Sequence, residues 1–280
     1  MDHIFPDEIF LQIFQNINPL DLFRSFYNLN SRLNRIIGEV PIHFRTDLTN
    51  EEQRYILPSL RPKQIRSLYV CEERYQYSYL NECSNIEELT FRWTSSYNVY
   101  SIRHPQLVTV RPGNFPHLRS LTIYQQSSTS AYQKLCTMIF GNHFPVLNNV
   151  FLPYANGSCT GGIKTWSTSL TSVWIACCNK SMLYLLLDNL PNLEYFTCTP
   201  ESTNLLLRYP GYLNDAFHAL HAVLSHCPKL KSVDCFIKYS GPGCSLQTFH
   251  EIKNRYPLFK DYSGDAWKEH DGHRCRIRKG

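Results

Sequence analysis

The sequence predicts an α/β chain with an all-helical N-terminal unit over residues 1–40, a repeating strand/helix region over 41–262 and a basic tail over 263–280. Three observations predict it. Apolar residues in the first forty positions recur at helical spacing between Pro and Asn start signals. Beyond them a phrase recurs: an apolar residue, a second three positions on and a third five positions on. Helical stretches separate the copies.

Composition supports a folded chain. Of 280 residues, 43% are hydrophobic and 14% aromatic, enough to build a sizeable core and to exclude wholesale disorder. Charged residues at 18% are too few for a coiled coil. The longest apolar run, Met182 to Leu187, is too short to span a membrane. The net charge of +5 is uneven, because Asp2, Asp7, Glu8, Asp21 and Glu39 outnumber the bases of the first forty residues. The remaining, mildly basic body favours acidic partners but lacks the charge density of a nucleic-acid binder.

The N-terminal helices follow in order. Pro6-Asp7-Glu8 starts the first, with Ile9, Phe10, Ile13, Phe14 and Ile17 in two adjacent stripes, wider than one buried face requires. Asn18-Pro19 restarts the chain, and Leu22, Phe26 and Leu29 share a face. Asn30-Ser31 caps a last helix holding Leu33, Ile36 and Ile37, with Gly38 as its stop. Forty residues are too few to be stable alone, so the surplus apolar surface must bury against the rest of the chain or against a partner.

The stretch Phe5-Pro6-Asp7-Glu8-Ile9 through Asn18-Pro19-Leu20-Asp21-Leu22 resembles the F-box. That family opens with Leu-Pro-x-Glu, continues with apolar residues at helical spacing and reaches an Asp-Leu. Phe5 stands where the family has Leu, and Asn28 to Ile36 represents its later Val-Cys-Lys/Arg-x-Trp stretch without the Trp. The resemblance implies docking to a Skp-type linker and, through it, to a cullin-based ubiquitin ligase. By position it implies a linker-binding set of Phe5, Pro6, Ile9, Ile13, Leu20 and Leu22.

The recurring phrase is anchored at Ile65, Ile86, Leu107, Leu118, Leu147, Leu170, Leu193 and Leu230. The step from Leu107 to Leu118 is too short for a full unit, so Leu107 is expected to mark an extra strand or an insertion. Helices are expected over 131–140, 180–190, 215–226 and 247–256, and Thr49-Asn50-Glu51-Glu52 is a capping box that opens one more. A strand and a helix every twenty-odd residues form a leucine-rich-repeat-like solenoid, similar to the irregular repeats that commonly follow F-boxes. A doubly wound α/β domain is the competing architecture, but no Gly-rich phosphate loop follows any strand.

In each phrase the +3 and +5 residues point one way and +2, +4 and +6 the other. The second set includes Tyr69, Phe151 and Trp174 at +4, Arg92 and Tyr124 at +6, and Tyr195 at +2. Outward strand positions have no folding need for these types, which dominate binding hot spots, so Tyr69, Arg92, Tyr124, Phe151, Trp174 and Tyr195 are the expected substrate-binding face. The bland alternative is that the rings pack on their neighbours in adjacent repeats.

Enzyme and metal chemistry find little support in the sequence. His218, His221, His226, Cys227, His270, His273 and Cys275 lack a paired Cys-x-x-Cys, so no metal site and no cofactor is expected. Asn156-Gly157-Ser158-Cys159 lies in a Gly/Ser-rich stretch rather than a strand-turn-helix elbow. Eleven cysteines, an odd number, and no secretory signal at Met1-Asp2-His3-Ile4 lead us to expect reduced thiols in the cytoplasm or nucleus. The expected function is a non-catalytic substrate-recognition adaptor of a Skp/cullin/F-box ligase whose repeats capture a protein, with no nucleic-acid or membrane partner. The alternative is a repeat scaffold with no ubiquitin role, its N-terminal helices serving only as a cap.

Overall fold

Proline and two acids start α1 (Asp7–Phe14), and Asn18 caps α2 (Pro19–Phe26) by accepting the Leu20 amide at 2.9 Å. Asn30 caps α3 (Ser31–Ile37), accepting the Leu33 amide at 2.8 Å. Gly38 ends α3, as expected, and does so in a right-handed conformation. Its lack of a side chain leaves room for the Arg61 guanidinium, which lies 2.6 Å from where a Cβ would stand. The computed structural model describes residues 5–71, 82–92, 105–124, 129–153, 155, 162–175, 180–198, 207–209, 213–225, 229–239, 246–269 and 272–279. The chain divides into two compact units, Met1–Leu121 and Thr122–Gly280.

In the first unit the helices lead into β1 (Ile42–Arg45), α4 (Asn50–Ile56), β2 (Ile65–Val70) and β3 (Glu88–Arg92). The strands are parallel, β1 on β2 and β2 on β3. Thr49 and Glu52 form the expected capping box at the start of α4. The first forty residues do not own a separate core. Phe14, Leu22, Phe23, Ile36, Ile37 and Val40 share one cluster with Ile42 of β1 and Ile56 of α4. Residue 40 is therefore not a core boundary. The Leu107 phrase is not a strand either. It is α5 (Pro105–Thr109), with Leu107 and Val110 buried.

Strand β4 (Ser120–Tyr124) spans the division between the units. In the second unit β5 (Asn149–Phe151), β6 (Ser172–Ile175), β7 (Tyr195–Cys198) and β9 (Ser232–Tyr239) pair in parallel in that order. β8 (Leu207–Tyr209) pairs in parallel with the C-terminal half of β9. The helices are α6 (Ser130–Phe140), α7 (Lys180–Asn189), α8 (Leu213–Leu224) and α9 (Leu246–Asn254). Residues 263–280, expected as a basic tail, instead hold β10 (Ser263–Glu269) and β11 (Gly272–Lys279), an antiparallel pair whose second strand lies antiparallel on β9. Alternation explains this. Arg274, Arg276 and Arg278 occupy one parity and Cys275 and Ile277 the other, with Ile277 buried. Gly264 lets β10 pass close to Phe249 of α9, since a Cβ there would meet a Phe249 ring carbon and the Arg276 carbonyl at 2.6 Å each.

The repeat phrase has a definite physical form. Anchor, +3 and +5 residues are buried in Ile65/Leu68/Val70, Ile86/Leu89/Phe91, Leu147/Val150/Leu152 and Leu170/Val173/Ile175. Each such side chain is worth about 1.5–3 kcal/mol on full burial. The amide at +1 then donates to the +1 carbonyl of the preceding copy. Within the first unit Glu87 N reaches Arg66 O and Arg119 N reaches Glu87 O, both at 2.7 Å. In the second, Thr171 N reaches Asn148 O at 2.9 Å, and Glu194 N to Thr171 O and Lys231 N to Glu194 O follow at 2.8 Å. Side chains at −1 add a second stitch. Asn85 Nδ2 donates to Lys63 O at 2.9 Å, Ser169 Oγ to Phe144 O at 3.1 Å and Asn192 Nδ2 to Thr168 O at 2.6 Å.

Gln64 is the −1 residue of the first copy, and its stitch reaches the helical segment. Its Nε2 donates to Ile37 O at 2.6 Å and Val40 O at 3.3 Å, while its Oε1 accepts the Arg61 amide at 2.9 Å. The side chain is buried. Among the described residues, no helix is long and apolar enough to cross a membrane. Gln64→Leu, which removes these bonds from a buried site, is expected to cost about 1–3 kcal/mol of unfolding free energy in urea titration.

Candidate functional site

The N-terminal helices present two apolar faces. One, with Phe14 and Leu22, is the core cluster already described. The other carries Phe5, Ile9 and Ile13, which are 54%, 39% and 50% exposed, with Pro6 exposed beside them. Leu20 is half-buried. Leu22 is 0% exposed and so cannot contact a partner; it leaves the linker-binding set because α2 turns it toward Phe14 and the strand side. The edge-to-face pair of Phe5 and Phe10, with centroids 6.2 Å apart, joins Phe5 to the start of α1.

A polar clamp that the sequence reading did not single out holds this exposed face. Arg32 Nε donates to Asp7 Oδ1 at 2.8 Å, Arg32 Nη2 donates to the Phe5 carbonyl at 2.6 Å, and Arg35 donates to Asp7 Oδ2. The Arg32 guanidinium also lies over the Phe10 ring at 5.5 Å. The hydrogen bond from Arg32 holds the Asp7 carboxyl below its usual range despite some desolvation. Any stabilisation from this pairing is present above the ordinary carboxylate range and is lost as pH falls through the lowered value. The available signal was an acid in the first turn of α1 with arginines at i and i+3 of α3.

The expected substrate-binding residues fall into two groups, one in each unit. In the first, Tyr69 is flanked by arginines. Arg92 Nη1 donates to its hydroxyl at 3.4 Å, and the Arg45 guanidinium lies 5.4 Å from its ring centroid. Arg45 is held bidentately by Asp47, at 3.0 and 2.6 Å, which keeps its guanidinium protonated. In the second, Tyr124, Phe151 and Trp174 come together. Phe151 stacks on Trp174 at 3.8 Å with rings 13° from parallel, and Tyr124 tilts against Phe151 at 4.7 Å. The rings therefore pack on one another across adjacent strands, as the bland alternative holds. Phe151 and Trp174 are half-buried, and Tyr124 remains 42% exposed.

Tyr195 is not part of that stack. The register pairs Trp174 with Thr197 and sets Tyr195 opposite Ser172. Tyr195 is 45% exposed, and Lys231 Nζ lies 6.0 Å from its ring centroid. The repeat phrase already separates the two, since Trp174 holds a +4 position and Tyr195 a +2 position, and the ladder pairs +4 with +4.

Cys71, Cys83 and Cys136 are free thiols and buried. Burial pushes the Cys71 and Cys83 thiols up to about 11, the Asp47 carboxylate adding to the effect at Cys71, so neither is a thiolate at neutral pH. His218 and His221 lie against the Tyr256 ring, at 6.3 and 5.4 Å. His273 and Cys275 hold strand positions opposite Tyr239 and Ile237. His226, Cys227, His270 and Asn156 to Cys159 fall outside the described residues. No three His, Cys, Asp or Glu side chains gather among the described residues in a way that would hold a metal ion. A scan of the sequence against protein-family models finds no match, and a search of curated proteins finds none either.

The stack generates a quantitative expectation. In a double-mutant cycle of Phe151→Ala and Trp174→Ala, urea unfolding is expected to return a coupling energy of about 0.5–1.5 kcal/mol. Additive single-mutant losses would mean that the two rings do not stabilise each other.

Proposed function

We propose that the protein is a non-catalytic substrate-recognition adaptor of a Skp/cullin/F-box-type ubiquitin ligase, its N-terminal helices docking the Skp-type linker and its repeats capturing a protein substrate. The observation that carries this reading is the exposed face of α1. Phe5, Ile9 and Ile13 stay uncovered although the same short helices bury Phe14 and Leu22. Large apolar side chains left together on a clamped helix face fit a protein interface better than solvent. The linker-docking set becomes Phe5, Pro6, Ile9 and Ile13, with Leu20 at its margin. Asp7, Arg32 and Arg35 act as positioning residues.

The repeated +1 ladder and the −1 stitch support a leucine-rich-repeat-like reading of the strand/helix region. Catalysis in such a complex belongs to other subunits. The adaptor's part is to hold its substrate at high effective concentration near the charged ubiquitin-conjugating enzyme.

One observation favours the second reading, in which the helices are only a cap. Leu22, Ile36 and Ile37 share a core with Ile42 and Ile56, and Gln64 ties β2 to the end of α3. Capping and docking use different faces, so the first does not remove the second. The double variant Ile9→Asp/Ile13→Asp is expected to abolish co-purification with a Skp-type linker while leaving circular dichroism and melting temperature unchanged. Retention of the linker by a folded variant would leave the helices as a cap alone. Leu22→Asp, by contrast, is expected to destabilise the chain by about 3 kcal/mol or more, because it buries a charge in the core.

A further inference from the structure

Resting on the reading of the repeats as the capturing part, the strand face of the second unit also points to the kind of side chain it takes. Register partners in a sheet share a face. Phe151, Trp174, Thr197 and Asp234 are successive partners across β5, β6, β7 and β9, on the face opposite buried Val150, Val173, Phe196 and Val233. Phe151 and Trp174 stand on neighbouring strands with centroids 3.8 Å apart and planes 13° from parallel, so the rings stack along the strand-to-strand direction. Phe151 covers one face of the indole, and the other face turns toward β7. The residue waiting there is Thr197, whose short side chain cannot cover an indole. Among the described residues no second ring contacts Trp174, and the column of rings stops at this point.

Beyond Thr197 stands a carboxylate. Arg276 Nε donates to Asp234 Oδ1 at 2.8 Å, and Arg276 Nη2 donates to Asp234 Oδ2. Arg276 belongs to β11, which lies on the far side of β9 from β7, so the ion pair turns its negative end toward Thr197. An ionised carboxylate has about four acceptor sites, and Arg276 uses two of them. The Asp234 side chain is 20% exposed, which keeps it within reach of a ligand. Neighbouring strands are about 4.8 Å apart, so a flat group standing on Thr197 has one such spacing to the indole and one to the carboxylate. The result is a slot with an aromatic wall, a low floor and an anionic wall.

We propose that the Trp174–Thr197–Asp234 slot takes an arginine side chain of the captured protein, its guanidinium lying flat on the indole and its positive charge facing the Asp234 carboxylate. Both walls select this group. A cation is drawn to an aromatic face, most strongly to that of Trp. Guanidinium is flat, stacks on rings and is more weakly hydrated than a lysine ammonium, so it leaves water at lower cost. A ring from the partner would also stack on Trp174, but it would then present its negative face to Asp234, which opposes binding. A nucleotide would bring its phosphates beside the same carboxylate. The chain carries a net charge of +5 and repels cationic peptides in general, so the binding of one reports a local site.

The experiment uses the full chain and four fluorescent probes: a peptide of alternating Arg and Ser, its citrulline/Ser and Tyr/Ser counterparts, and single-stranded oligothymidylate. Fluorescence anisotropy is expected to show the Arg/Ser peptide binding at least about tenfold more tightly than the citrulline/Ser peptide, which keeps the flat shape and lacks the charge. Thr197→Tyr, which fills the slot and extends the column of rings, is expected to weaken Arg/Ser binding at least about tenfold while leaving the melting temperature unchanged or raised. Asp234→Asn is expected to remove the preference for Arg over citrulline. Equal binding of these two peptides by the wild-type chain overturns the proposal. So does tighter binding of the Tyr/Ser peptide or of oligothymidylate, or a preference for Arg that survives in folded Asp234→Asn. Wild-type affinity in folded Thr197→Tyr overturns it as well, and so does unfolding of that variant, which would show the space over Thr197 to be filled. Linker co-purification from the same wild-type sample separates this inference from the adaptor reading. Linker binding without peptide binding sinks only the arginine slot, and peptide binding without linker binding sinks only the adaptor.

Discussion

One backbone bond recurs and the rest of the structure is arranged around it. The amide at +1 of a repeat donates to the +1 carbonyl of the copy before, at 2.7–2.9 Å in both units. That bond fixes the ladder register. Register in turn decides which side chains stand side by side, because a slip of one residue would exchange the core face for the solvent face. Phe151 meets Trp174, and Trp174 meets Thr197 rather than Tyr195, for this reason. The side-chain bonds at −1 from Asn85, Ser169 and Asn192 reinforce the spacing at the turn into each strand by adding a donor to the carbonyls of Lys63, Phe144 and Thr168.

The same device accounts for the N-terminal helices. Gln64 performs at the first strand phrase what Asn85 and Asn192 perform later, but its acceptors are the last carbonyls of α3 and its exit. Helix ends carry unpaired carbonyls that must be satisfied when buried. A donor from the residue just ahead of β2 ties the helices to the first unit's core, in which Leu22 is buried. Ile9 and Ile13 stay exposed on the other face. A short helical segment with both faces apolar can therefore close the repeat region and still offer a surface, provided a clamp such as Asp7 with Arg32 and Arg35 keeps α1 in place.

Much of this was legible in the sequence where period and cap signals agree. The Pro6, Asn18 and Asn30 starts, the Thr49 capping box and the buried +3 and +5 residues all stand where pattern places them. Three features were not legible. Arg274 to Lys279 read as a charge run because arginine dominates it, although its alternation with Cys275 and Ile277 is a strand signal. Leu107 and Val110 fit the repeat phrase and a helical turn equally, and Pro105 at the start of α5 favours the helix. Leu22 and Ile9 look alike in a helical stripe, and only the position of Ile42 and Ile56 decides which of them is buried. The candidate sites were harder still, since contacts such as Arg92 with Tyr69 join residues more than twenty positions apart.

The central claim is that one face of the N-terminal helices closes the first unit while the other receives a Skp-type linker. Hydrogen–deuterium exchange on the full chain, with and without purified linker, tests it directly. The account predicts linker-dependent protection over residues 5–14, with exchange around Gln64, β2 and the Trp174 rung unchanged. Protection absent from α1, or protection that appears only on the strand face, would contradict it.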